Sequence, residues 1–240
     1  MTHHKIIRDE AELTRFIAWL PTLEENEIYY IVLQARKKYM PELSSSDTVE
    51  IRRFTSNKER MLEKLRQLEC PIGCYKTKKG QVVSDDGLVV YITTNPRDTK
   101  KATAETVKDL VNHMSAGWGD VNYRFNPSRW ADRQVHKCKS RTCHVHFDLD
   151  IKEGADKKSF LTGMVGTARA ICGKESVTTF ETRGGCHILI DPAKVVSEHK
   201  NWYPILSESL GEVDQAGDLM LPIPGCTQGG FVPRRIKNIP

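Results

Sequence analysis

The spacing of apolar positions divides the chain into stretches with a helical period and stretches that read as strands. A helix is predicted over residues 9–20, with Asp9 as its N-cap and Pro21 closing it. Residues 27–36 are rich in aromatic and β-branched side chains and read as a strand, and the serine-rich 44–47 as a loop. Over 56–69 a helix would put Met61, Leu62, Leu65 and Leu68 on one face. A second strand is expected at 87–95 and a further amphipathic helix at 103–114. The stretch 115–141 mixes Gly, Asn, Pro and Trp with many basic residues and reads as a long loop or a connection between lobes.

In the second half a strand at 143–151 is followed by a helix at 156–172 and by strands at 177–182 and 186–191. The last two strands are joined through Gly184-Gly185, a two-glycine hairpin signal that permits positive φ. A helical stretch over 193–210, broken near Pro204, leads to a short last strand around 219–221. Strand–helix–strand–strand is the split βαβ pattern of ferredoxin-like and RRM-like domains. The expected fold class is α+β: an N-terminal α/β lobe over 1–115 packed on an RRM-like lobe over 116–240, together one integrated core.

The strand at 143–151 carries the chemistry. Side chains alternate faces along a strand, so Val145, Phe147, Leu149 and Ile151 share an apolar face. His144, His146, Asp148 and Asp150 share the other, and all four bind metals or protons. Two aspartates two positions apart lie roughly 6–7 Å apart at Cα, close enough for their carboxylates to converge on one ion. A divalent cation removes their mutual repulsion, and hard oxygen ligands select Mg²⁺ or Mn²⁺.

Charge adds to this picture through its distribution. The chain has 36 basic and 31 acidic residues, a net +5 that says little alone. Six bases, Arg124, Arg129, Arg133, Lys137, Lys139 and Arg141, lie just before the aspartate strand with one acid, Asp132, among them. That cluster is a candidate for contacting nucleic-acid phosphates, with Trp118 and Trp130 as candidates to stack bases. No signal-peptide pattern or long apolar run is found, so no membrane partner is expected. The seven cysteines are expected as free thiols in a reducing cytoplasm.

Phe147-Asp148-Leu149-Asp150, then Gly185-Cys186-His187 after Thr182-Arg183-Gly184, then Val213-Asp214, resemble in order the three short motifs of the archaeo-eukaryotic primase superfamily. Residues 221–230 resemble the proline- and glycine-containing strand–turn of its small viral and plasmid primase-polymerases, and the resemblance covers about 129–235. It implies a two-lobed primase-polymerase core that makes or extends primers on single-stranded DNA from ribo- or deoxynucleoside triphosphates. Asp148, Asp150 and Asp214 would hold one or two Mg²⁺ or Mn²⁺ ions. His187 and Arg183 would grip the triphosphate, with Thr182, Gly184, Gly185 and Arg234 completing the nucleotide site. There are departures: Gly185 stands where many relatives have Ser, and Asp218 competes with Asp214 as third acid. Only the catalytic core is expected here, so a replicative helicase would be separately encoded.

The same residues carry rival readings. His144-Val145-His146 is also the His-hydrophobe-His of rolling-circle replication nucleases, for which Tyr203 would be the nucleophile. His136, Cys138, Cys143 and His144, or Cys70 with Cys74, offer ligands for a structural zinc, at no standard finger spacing. A primase-like fold kept only to bind single strands is the non-enzymatic alternative.

Overall fold

The computed structural model describes residues 2–43, 48–77, 79–115, 127–152, 154–196, 201–211, 213 and 215–236; the predicted loop at 44–47 lies outside them. In chain order the elements are α1 (Glu10–Trp19), β1 (Glu27–Arg36), β2 (Thr48–Ser56), α2 (Lys58–Arg66), β3 (Leu88–Thr93), β4 (Arg97–Asp98), α3 (Thr99–Ser115) and α4 (Pro127–Lys137). There follow β5 (Val145–Asp150), α5 (Lys157–Cys172), β6 (Val177–Glu181), β7 (Gly185–Ile190), α6 (Trp202–Ser209), β8 (Gln215–Gly217), β9 (Met220–Pro222) and β10 (Arg234–Ile236). The fold is α+β with two antiparallel sheets.

Local chemistry starts the helices where the sequence predicts. The Asp9 side chain accepts from the Glu12 amide at the start of α1, and Asp156 does the same for Ser159 at the start of α5. The first sheet has the order β2-β1-β3-β9, with β4 also on β1; the second has the order β10-β6-β7-β5-β8. Strand β7 is antiparallel to both β5 and β6, so these two run parallel, joined by α5, with β7 between them. One core gathers α1, α2 and the first sheet, and it takes Phe180 and Leu189 from the second. A smaller one packs Phe147, Leu149, Ile188 and Ile190 under α5 and α6. The second sheet is thereby covered by α5 and α6 on one face, while Phe180 and Leu189 on the other join the core of the first sheet.

Several expectations are corrected. The stretch 115–141 is not a loop throughout: α4 occupies 127–137, with Pro127 at its first position, where a missing N–H costs nothing. It packs on α3 through Trp130 against His113 and a Gln134–Asp109 hydrogen bond of 2.6 Å. Strands β2 and β10 were not anticipated, because both are rich in charge and lie at sheet edges. Pro204 does not break α6; it sits in the first turn, where proline is tolerated. Cys70 and Cys74 form a disulfide, against the expectation of free thiols, and the other five cysteines are free. Finally, a boundary at 115/116 does not separate the sheets. Strand β9 pairs with β3 of the first sheet, while the Thr227 amide donates to the Ile6 carbonyl at 2.8 Å.

No helix among the described residues is long and apolar enough to cross a membrane.

Candidate active site between the two sheets

Alternation in β5 works as the sequence implies. Phe147 and Leu149 are buried under the helices, while His146, Asp148 and Asp150 lie on the opposite face, the two aspartates lining a cleft against the first sheet. Register then fixes their neighbours: Asp148 lies opposite His187 on β7, and Asp150 opposite Gly185. His146 Nε2 is 2.6 Å from His187 Nδ1, and His187 Nε2 is 3.3 Å from Asp148 Oδ1. Burial pushes His146 down to about 4 and His187 well below the ordinary imidazole range, the His146 ring adding to the latter. Both rings are therefore neutral at neutral pH. The two rings share one hydrogen bond, and His187 Nε2 faces a carboxylate that can only accept.

A cleft of about 390 Å³ opens between the sheets at this point. Asp148, Asp150, Thr182, Gly184 and His187 form one wall. Arg36, Lys38, Tyr39 and Tyr91, from the end of β1 and from β3, form the other. Lys38 Nζ reaches to 3.6 Å from Asp150 Oδ1 across the gap. The Arg36 guanidinium donates to the Tyr91 hydroxyl at 3.1 Å. Burial raises that hydroxyl to about 12, with Arg36 pulling the other way, so it stays protonated. No motif marks Arg36 and Lys38; the signal the sequence offers for them is the basic run Arg36-Lys37-Lys38 at the end of a strand.

The expected nucleotide residues divide. Thr182 and Gly184 line the cleft with His187, whereas Arg183 turns away. The Arg183 guanidinium stacks over Tyr39 at 4.7 Å and donates to the Gly229 carbonyl, and its amide donates to Gln228 Oε1 at 2.9 Å. It fastens the 227–230 turn rather than facing into the cleft. Gly184 and Gly185 are not in the positive-φ region expected of them. Gly185 is needed for close approach instead: a Cβ there would overlap the Leu149 carbonyl oxygen. A Cβ at Gly184 would sit 2.8 Å from Asp150 Oδ1. Arg234 lies outside the cleft, held by Glu181 at 2.8 Å.

Among the acids, Asp214 lies outside the described residues. Asp218 borders the cleft, yet its carboxylate is tied to the buried Arg97 at 2.6 Å and to Asn95 Nδ2 at 3.0 Å. Among the described residues no group of three or more His, Cys, Asp or Glu is gathered for a metal ion. Asp148 and Asp150 nevertheless suit Mg²⁺, which is usually held by one or two carboxylates together with water and substrate phosphates. The Lys38 ammonium beside Asp150 marks that place as one that attracts a cation.

The basic cluster also divides. Arg129, Arg133 and Lys137 ride on α4, and Lys139 follows it in a bridge to Arg97. Arg141 is clamped by Glu27 at 2.9 Å and by the Thr22 carbonyl at 2.6 Å. Arg124 and Trp118 lie outside the described residues, and Trp130 is spent on α3. The rival constellations are dispersed. Tyr203 packs on Phe147, across β5 from His144 and His146, and Cys70 and Cys74 are bonded to each other. No protein-family model, curated protein or solved structure matches the chain.

Proposed function

We propose that the chain is a nucleotidyltransferase of the primase-polymerase kind, extending or starting primers on a single-stranded DNA template. The observation that carries this reading is the composition of the cleft. Paired strand carboxylates and a neutral histidine face two cations across a gap of nucleotide size. The strand order β6-β7-β5-β8, with α5 joining β5 to β6, supports an RRM-like catalytic sheet, and the first sheet would be the second lobe of a two-lobed core.

In this reading Asp148 and Asp150 hold one or two Mg²⁺ or Mn²⁺ ions, whose contribution when bound is to neutralise charge on the phosphates and assist the 3′-hydroxyl. His187 donates from Nε2 toward a phosphate oxygen in place of Asp148, and the hydrogen bond with His146 holds the ring in place. Arg36 and Lys38 take the phosphate charge from the opposite wall, the role expected of Arg183, and Lys38 exchanges Asp150 for the nucleotide. The protein's work is alignment and charge neutralisation.

The test is incubation of the purified chain with single-stranded DNA, Mg²⁺ or Mn²⁺, and labelled ribo- and deoxynucleoside triphosphates. Incorporation is expected, with a loss of at least about 100-fold in Asp148→Ala and in Asp150→Ala at unchanged melting temperature. Full activity in either variant, or none in the parent with either metal, overturns the proposal.

A further inference from the structure

A second concavity, of about 970 Å³, lies beyond the end of β6 from the cleft, where residues 8–15, the first turns of α5 and β10 meet. Six cations line it: Arg8, Arg15, Lys157, Lys158, Arg234 and Arg235. Its three acids are already engaged. Asp9 caps α1, Glu12 receives Arg15 at 2.8 Å and the Arg235 amide at 2.8 Å, and Glu181 holds Lys157 at 2.9 Å and Arg234 at 2.8 Å. Arg8 is paired as well, with Asp85 at 3.6 Å, so complete pairing still leaves two positive charges in excess beside the apolar side chains of Leu161, Val232 and Ile236. Even within their ion pairs the side chains of Arg15 and Arg234 stay 52% and 69% exposed.

Groove and cleft are joined by one residue. Lys157 Nζ donates to the Thr182 carbonyl at 2.8 Å, and Thr182 lines the cleft while its neighbour Glu181 lines the groove. An open concavity of this volume, lined by cations from three separate segments together with apolar side chains, is suited to phosphates and bases of one strand together. We infer that this groove binds the sugar-phosphate backbone of a single nucleic-acid strand that passes by the cleft. The inference rests on the polymerase reading of that cleft and assigns Arg234, outside the nucleotide pocket, to the strand.

The experiment is fluorescence anisotropy of a labelled oligothymidylate titrated with the full chain over a series of salt concentrations. The double variant Lys158→Ala/Arg234→Ala is expected to bind about 10-fold more weakly, with the log–log salt slope reduced by about 1.4, two phosphate contacts on a single strand. Lys158→Arg/Arg234→Lys should restore both, and the melting temperature reports that each variant is folded. An unchanged slope in the alanine variant, absence of binding by the parent, or equal capture of anionic phospholipid vesicles would overturn the inference. The two proposals fail separately. Strand binding that depends on Lys158 and Arg234 without nucleotide incorporation sinks the polymerase reading alone, and incorporation with an unchanged salt slope sinks the groove alone.

Discussion

His144 illustrates how far a single residue departs from its pattern. Alternation puts it on the polar face with Asp148 and Asp150, and that much was legible. What covers the face was not: Trp19 of α1 stacks on the ring at 4.8 Å, and Asn95 accepts the His144 amide at 2.8 Å. Burial then pushes the imidazole down to about 4, against a weaker upward pull from Asp191. An unfolded His144 takes up a proton below its ordinary value near 6.5, whereas the folded one resists until about 4. The unfolded state thus binds more protons within that window, and stability falls as pH drops through it; above it nothing changes. His144→Phe keeps a ring against Trp19 and cannot titrate. Between pH 7 and pH 5 it should lose about 2 kcal/mol less stability than the parent, read as melting curves at the two pH values. Parallel losses in the two proteins would show that His144 is not the acid-sensitive group.

Gly185 belongs to the scale of the hairpin. Its backbone runs so close to β5 that any side chain would strike the Leu149 carbonyl, at the end of the register that sets Asp148 opposite His187. Gly185→Ala must push β7 off β5, at a cost of roughly 3 kcal/mol or more, and should lower the denaturation midpoint and nucleotide incorporation together. A fully stable Gly185→Ala would mean the strands tolerate separation there. The hairpin itself was legible, since two glycines between apolar runs signal a turn, but the reason for the second glycine was not. Positive φ is a local property, whereas contact with a neighbouring backbone depends on pairing. The same distinction runs through the other elements. Strands β1, β5, β6 and β7 are apolar enough to announce themselves. Strand β2 carries Glu50, Arg52 and Arg53, and β10 carries Arg234 and Arg235, so only their partners make them strands. Helix α4 hides in a run of bases because its ties, Trp130 to His113 and Arg53 to Asp132 at 2.7 Å, come from elsewhere in the chain.

The site is a property of the whole molecule, because neither sheet contains it. The carboxylates and His187 come from the second sheet and Arg36 and Lys38 from the first, so short motifs in one sheet cannot disclose the cations in the other. The relative placement of the two sheets is fixed in part by Asp218. It binds Arg97, whose side chain is 2% exposed, while Asn95 connects it to the Cys143 and His144 amides at the start of β5. This also bears on the third-acid question. A carboxylate that neutralises a buried guanidinium cannot be given up to an ion without leaving Arg97 uncompensated. Asp218→Ala should therefore cost about 1–3 kcal/mol of stability, because it leaves the buried Arg97 without its partner while Asp218 itself is partly exposed. Asp218→Asn, which keeps an oxygen for Arg97, should cost less and retain most nucleotide incorporation wherever the protein is folded. If Asp218 were instead a metal-holding acid, Asp218→Asn would abolish incorporation at nearly full stability. Urea denaturation beside the incorporation assay separates the two, because a structural tie loses activity only in step with folding, whereas a catalytic carboxylate loses it while the fold stands.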